Sequence, residues 1–323
     1  MSHVTKEMGN TSAVTSFILT GYSEMETLAQ LYFSVFFILY ICILVSNSVL
    51  IGVIYTVKLL HEPMHLHICN LMCNGLYGST SLFPFLLKHL SSQSHEVSVA
   101  GCLAQVFCLH TFSITEFTIL AVMSYDRYIA ICYPLQYHSI MSARRLRSLL
   151  AFSWCYPFVT FGLYFVLTVR LTFCSRVIFK VYCANFFVLK LSCNDITVNN
   201  VIGLLTIGVF ILPQVITILF SYTQILIICM HSGAESQGKA LRTCGPHLLA
   251  VINYCVGCLF EVIQSRFNMS HMPYEAYTFL SLYFLIFPPL LNPVIYGVSI
   301  RTIRIQIICL FRGKSRLSPV VKK

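Results

Sequence analysis

The sequence predicts an all-α membrane protein, a bundle of seven transmembrane helices followed by a short amphipathic helix. Three observations predict it. Of 323 residues, 57% are hydrophobic and only 10% charged, whereas a soluble domain carries about a quarter charged residues. Successive apolar stretches are each long enough to cross a hydrocarbon core about 30 Å thick as a helix of about 20 residues. Basic residues gather on one set of connections, as membrane topology requires. Helices are the natural choice because lipid leaves backbone polar groups no water to bond, and the alternation of an outer-membrane barrel is absent.

In chain order, a largely polar tail over 1–27 precedes spans at 28–56, 64–88, 99–132, 146–169, 198–230, 240–263 and 275–298. The tail lacks the short apolar core and small-residue cleavage site of a signal peptide, so the first span is expected to insert as an anchor. The unit of seven spans is thus 28–298. After it, 299–312 reads as an amphipathic helix in the cytoplasmic interface, with Ile300, Ile303, Ile307, Ile308 and Phe311 toward lipid and Arg301, Arg304 and Arg312 on the polar side. Cys309 is a palmitoylation candidate there, and 313–323 is a basic cytoplasmic tail.

Orientation follows from charge. Arg301, Arg304, Arg312, Lys314, Arg316, Lys322 and Lys323 follow the last span, and Arg144, Arg145 and Arg147 follow the third, so both regions are cytoplasmic and the N-terminus lies outside. The connection over 170–197 dissents, with Arg170, Arg176, Lys180 and Lys190 on the outer side. The net charge of +10 therefore reflects topology and attraction to anionic lipid, and no folded domain supports nucleic-acid binding. Asn10 and Asn268 each open a glycosylation sequon on the outer side.

Cysteine placement fits the same topology. Cys102 opens span three on the outside, and Cys174, Cys183 and Cys193 lie in the long outer connection, an oxidising compartment. Four cysteines allow three pairings. Cys102–Cys183, which would pin the loop over the bundle, and Cys174–Cys193, which would close it on itself, are favoured. The remaining cysteines sit mostly within spans as small apolar side chains, and no metal-ligand spacing is read among them.

Asp126 and Arg127 stand side by side at the inner end of an apolar run, where an ionisable residue is costly unless paired. Asn47, Pro63-Met64, Cys102, the run MSYDRYIAIC over 123–132, Ser221-Tyr222, the run KALRTCGPH over 239–247 and the run PLLNPVIY over 289–296 follow in order on successive spans. Together they resemble the rhodopsin-like G-protein-coupled receptors, and more closely the odorant receptors, over roughly 17–312. The segment 61–84 and the outer loop are most similar to receptors of the fish odorant repertoire.

The resemblance implies a switch. Arg127, flanked by Asp126 and Tyr128, would leave its acid on activation, turn toward Tyr222 and Tyr296, and meet the G protein. Arg242, Thr243 and His247 would form a cytoplasmic lock on span six. Asn292 and Pro293 would make span seven a hinge, since an internal proline removes a backbone hydrogen bond and lets a helix bend. The family also places an acid on span two to share an ion or proton with Glu116; here that position is Gly75, which leaves a sodium or proton site at Glu116 with one carboxylate. His65 replaces the usual aromatic, with His67 close behind, and Cys255 stands where the family usually has tyrosine.

A small-molecule site is expected in the outer half of the bundle. Leu109, His110, Ser113 and Ile114 form its stripe on span three. Thr206, Ile207 and Phe210 come from span five, Cys258, Leu259, Glu261 and Val262 from span six, and Leu282 and Leu285 from span seven. That lining is apolar with a few hydrogen-bonding groups, as such sites usually are; Glu261 is also near enough to the surface to be merely solvated. No aspartate at the Leu109 position is available to hold a monoamine. The partners implied are a small odorant, a stimulatory olfactory-type G protein that raises cyclic AMP, and membrane lipid, at the plasma membrane. A receptor for a non-odorant small molecule is the alternative; a transporter would need inverted repeats with broken midplane helices. An enzyme would need a nucleophile or metal constellation, and neither is read here.

Overall fold

The computed structural model describes residues 14–231, 233–266 and 271–312. Its long helices are α1 (Ala29–Thr56), α2 (Pro63–Leu90), α3 (Val99–Cys132), α5 (Ala143–Val169), the pair α7 (Thr197–Phe210) and α8 (Leu212–Met230), α9 (Ala234–Arg266) and α10 (Tyr274–Ser299). Two short helices, α4 (Tyr137–Ile140) and α6 (Asn185–Leu189), lie in connections, and α11 (Arg301–Phe311) follows the bundle. Starts are written locally. Ser98 and Ser142 accept the amides of Gly101 and Arg145 as N-caps of α3 and α5, and Pro63 opens α2 where its missing N–H costs nothing.

One expectation needs correction. The fifth span is two helices meeting at Ile211. Pro213 has no amide to offer the preceding turn, which accounts for the break. Six helices among the described residues are long and apolar enough to cross a membrane on composition alone, and α2 is not one of them. Its 28 residues suffice for length, but it carries His65, His67, Asn74 and Ser79, all buried within the bundle.

The bundle is arranged around α3, which packs against α2, α5, α8 and α9. In its most apolar stretch 78% of residues are buried, against 22% for α5, so α3 is the axis and α5 a peripheral helix. Polar residues face inward: Asn47, Glu116, Asp126, His247 and Asn292 are all buried. Leu163, Leu219 and Leu259 point outward. That inversion suits a lipid solvent.

A cap covers the outer end. Strand β1 (Ser16–Leu19) runs antiparallel to β2 (Glu96–Ser98) and parallel to β3 (Val177–Ile178), with Ile18 opposite both Glu96 and Val177. Disulfides join Cys102 to Cys183 and Cys174 to Cys193. Gly21 lies so close to the Lys180 backbone that a Cβ would stand 2.7 Å from its carbonyl carbon, so this crossing needs glycine. Of the dissenting basic residues of the outer loop, Arg176 and Lys190 are matched within the cap and Lys180 beneath it. Arg176 binds Ser16 and Glu96, and Lys190 lies over Phe186.

At the other end α11 packs on α1 and α10. Ile303 is fully buried there, so this apolar face rests largely on the bundle, while Ile308 and Leu310 remain outward. Asn10, Asn268 and the basic segment 313–323 lie outside the described residues.

Candidate functional site

A cavity of about 250 Å³ lies beneath the outer cap. Leu109, His110, Ser113 and Ile114 reach it from α3, Thr206 from α7, and Cys258, Glu261 and Val262 from α9. Positions three and four apart share a helix face, which is why these groups arrive together. Leu259 is one step out of phase and stands 62% exposed on the outer surface. Leu282 and Leu285 are buried within the packed bundle and do not line the cavity. The side chains of Ile207 and Phe210 lie outside the described ones.

The outer loop supplies a part of the lining that helical phase does not reveal. Tyr182, Cys183, Ala184 and Asn185 enter the wall because the Cys102–Cys183 bond draws their segment inward. The disulfide was the available signal. Phe161 and Tyr164 from α5 and Asn199 from α7 complete that side.

Glu261 is not merely solvated. The Lys180 ammonium donates to both of its carboxylate oxygens at 3.2 Å, and Gln264 donates to it as well. Lys180 also reaches Ser281 Oγ at 3.3 Å and sits over Tyr182 and Phe187 at 5.0 and 5.1 Å. Burial pulls this ammonium below the ordinary lysine range, and the Glu261 charge opposes that pull. The pair closes the cavity roof with no net charge.

Tyr254 lies against the lining residue Ser113. It is fully buried, and its hydroxyl donates to the Ser113 carbonyl at 2.8 Å while meeting Ser113 Oγ at 2.6 Å. The tyrosine missing at half-buried Cys255 is thus replaced, one residue earlier, by a tyrosine that reaches α3.

Midway down, Glu116 accepts hydrogen bonds from Asn74 Nδ2 at 2.7 Å and Asn292 Nδ2 at 2.8 Å. Each carboxylate oxygen is engaged by one amide hydrogen and keeps a second lone pair, and the buried Asn74 Oδ1 and Asn292 Oδ1 on the same two amides have no hydrogen-bond partner, so oxygen donors that would suit a sodium ion remain beside Glu116. Beside it, Pro293 leaves the Pro289 carbonyl without its helical donor. Asn47 Nδ2 supplies the replacement at 2.9 Å. Gly75 makes that approach feasible, since a Cβ there would lie 3.1 Å from Asn47 Oδ1.

At the inner end Arg127 pairs with Asp126, with Nε at 3.1 Å from Oδ2. Asp126 also accepts from Tyr137 of α4 at 2.8 Å. His247 Nε2 lies 3.1 Å from the Leu120 carbonyl, which can only accept, so Nε2 carries the proton and Nδ1 accepts from Tyr222. Tyr222 is therefore committed to α9. The buried Tyr296 hydroxyl has no hydrogen-bond partner. Tyr128 packs on Phe220 and donates to Tyr133 at 3.3 Å; Arg242 is exposed. Thr243 borders a small space beside Arg127 and Tyr296. That space is about 10 Å³, room for about one water molecule.

His65 and His67 are buried beside this switch, and none of their ring nitrogens has a hydrogen-bond partner. Against the expectation that no metal constellation occurs in the sequence, His61-Glu62-Pro63-Met64-His65 spell the HExxH pattern. Its chemistry needs both histidines on one helical face. Here Pro63 starts α2, leaving His61 outside the helix and bonded to the Tyr55 carbonyl. Among the described residues no three His, Cys, Asp or Glu side chains gather to hold a metal ion.

The family model described as "Olfactory receptor" matches residues 36–314. Human olfactory receptor 5AC2 is 34% identical over 293 residues, covering 90% of this chain and 94% of its own. Human olfactory receptor 52D1 is 34% identical over 307 residues, covering 94% and 96%. Mouse olfactory receptor 5M5 is 35% identical over 303 residues, covering 92% and 93%.

Proposed function

Because the chain belongs to the olfactory receptor family of seven-helix G-protein-coupled receptors, we propose that it binds a small odorant in the outer cavity and activates a stimulatory, olfactory-type G protein, raising cyclic AMP. The family is one of receptors rather than enzymes, and its members are multi-pass proteins of the plasma membrane. The N-terminus and the disulfide-bonded loop face outside, and α11 faces the cytoplasm.

One observation carries this reading: α3 lines the ligand-sized cavity with His110 and Ser113 and ends at the Asp126–Arg127 pair. A ligand that shifts α3 against α9 disturbs the Tyr254–Ser113 contacts above and the His247–Leu120 contact below. Arg127 then leaves Asp126 for Tyr296, whose hydroxyl lacks a partner, and for Tyr222 once His247 releases it. Arg242 and Thr243 flank the opening for the G protein. A ligand can shift this equilibrium only by binding the open state more tightly.

The test is an odorant panel on cells expressing the chain with the olfactory-type G protein, read by cyclic AMP. A concentration-dependent rise is expected. Substrate accumulation without a cyclic AMP response would favour transport and contradict the proposal.

A further inference from the structure

The unused hydrogen-bonding atoms around the outer cavity have a consistent sign. His110 Nδ1 lies 3.0 Å from the Val106 carbonyl, which can only accept, so Nδ1 carries the hydrogen. The ring stacks on Phe161 at 4.7 Å and forms no ion pair among the described residues. A neutral imidazole anchored in this way presents Nε2 as a bare lone pair, directed away from its own helix. Ser113 has likewise committed its hydrogen. Tyr254 spends its own on the Ser113 carbonyl, so in their 2.6 Å contact Ser113 Oγ is the donor.

Two other walls agree. Thr206 Oγ1 donates to the Ile202 carbonyl at 2.6 Å and keeps only lone pairs. Glu261 accepts alone, and Lys180 offsets its charge. Amide donors lie on the α7 side, where Asn199 and Asn200 border the cavity; the Nδ2 of Asn199 is buried and has no partner.

We propose that the cavity selects small uncharged hydroxyl compounds, alcohols or phenols, whose O–H donates to His110 Nε2, with His110 as the specificity-determining residue. The proposal rests on the ligand-binding role given above. A hydroxyl supplies the hydrogen that the α3 wall lacks. Carboxylates meet further acceptors and are rejected. Ammonium ions must displace Lys180, and ethers and aldehydes leave the imidazole lone pair desolvated and unpaired. A site built to bond a hydroxyl discriminates strongly against analogues without it.

The full chain in lipid nanodiscs is titrated with linear, branched and aromatic alcohols of four to twelve carbons, each beside its methyl ether and aldehyde. Alcohols should bind at least about 10-fold more tightly than their ethers. His110→Phe, which keeps the ring stack on Phe161, should remove that preference while changing ether binding by less than about 3-fold. Ethers or aldehydes binding as tightly as alcohols, or no alcohol binding at all, would overturn the proposal. The wild-type comparison suffices if the variant fails to fold. Alcohol binding without a cyclic AMP response would strike at the coupling and leave the donor preference standing. A cyclic AMP response that ignores the hydroxyl would do the reverse.

Discussion

The outer and inner ends of α3 are held in opposite ways. Outside, Cys102 is covalently tied to the loop, Lys180 is enclosed by Glu261, Ser281 and aromatic rings, and Arg176 is matched by Glu96 and Ser16. Inside, Asp126 is the ion-pair partner of Arg127 among the described residues, while His67, Ser221 and Tyr296 hold buried polar atoms without hydrogen-bond partners. Unsatisfied buried groups are expensive, and a new arrangement that satisfies them is correspondingly favoured. Asn199 holds an unpartnered buried amide at the outer end as well, so it is the covalent and ionic ties there that keep the shape around a cavity. The inner end is built to exchange partners.

Removing the covalent tie tests that contrast most severely. Cys102→Ser should destabilise the fold by about 2–5 kcal/mol, with a large loss of surface expression and a lower Tm in nanodiscs. Next is Lys180→Met, which leaves Glu261 near the roof without its cation. Breaking a buried pair costs roughly 3–5 kcal/mol; because the Glu261 side chain is 22% exposed, a loss of about 2–3 kcal/mol is expected, and adding Glu261→Leu should recover most of it.

The inner end should respond differently. Asn47→Ala exposes the Pro289 carbonyl to an apolar interior and should cost about 1–3 kcal/mol, together with a change in basal cyclic AMP, because the hinge of α10 loses its latch. His67→Phe replaces an unpartnered imidazole with an apolar ring and should raise stability by about 1 kcal/mol, seen as a small increase in Tm. A destabilised His67→Phe protein would mean that the inner end is satisfied after all.

The spans were legible because their apolar lengths and flanking charges follow from the membrane itself. Even the cavity face of α3 followed from helical spacing. What failed depended on packing between distant segments. Glu261 reads as a lining residue, as the structure places it, but its partner Lys180 is far away in sequence on a loop whose path no periodicity records. Leu259 faces outward while its neighbour Cys258 faces the cavity, because one helical step turns a side chain by about 100°. The break at Ile211 carried a local signal in Pro213, and the polar character of α2 was visible in His65 and His67. Neither signal says where the chain will bend or what will surround the rings.

The central claim, that ligand binding and G-protein coupling occupy separate ends of α3, is tested most directly by Arg127→Ala at matched surface expression, with odorant binding and cyclic AMP measured on the same preparation. The account predicts binding within about 3-fold of wild type, since Arg127 is remote from the cavity, and no odorant-driven cyclic AMP rise. A normal rise, or binding lost together with signalling, would contradict it.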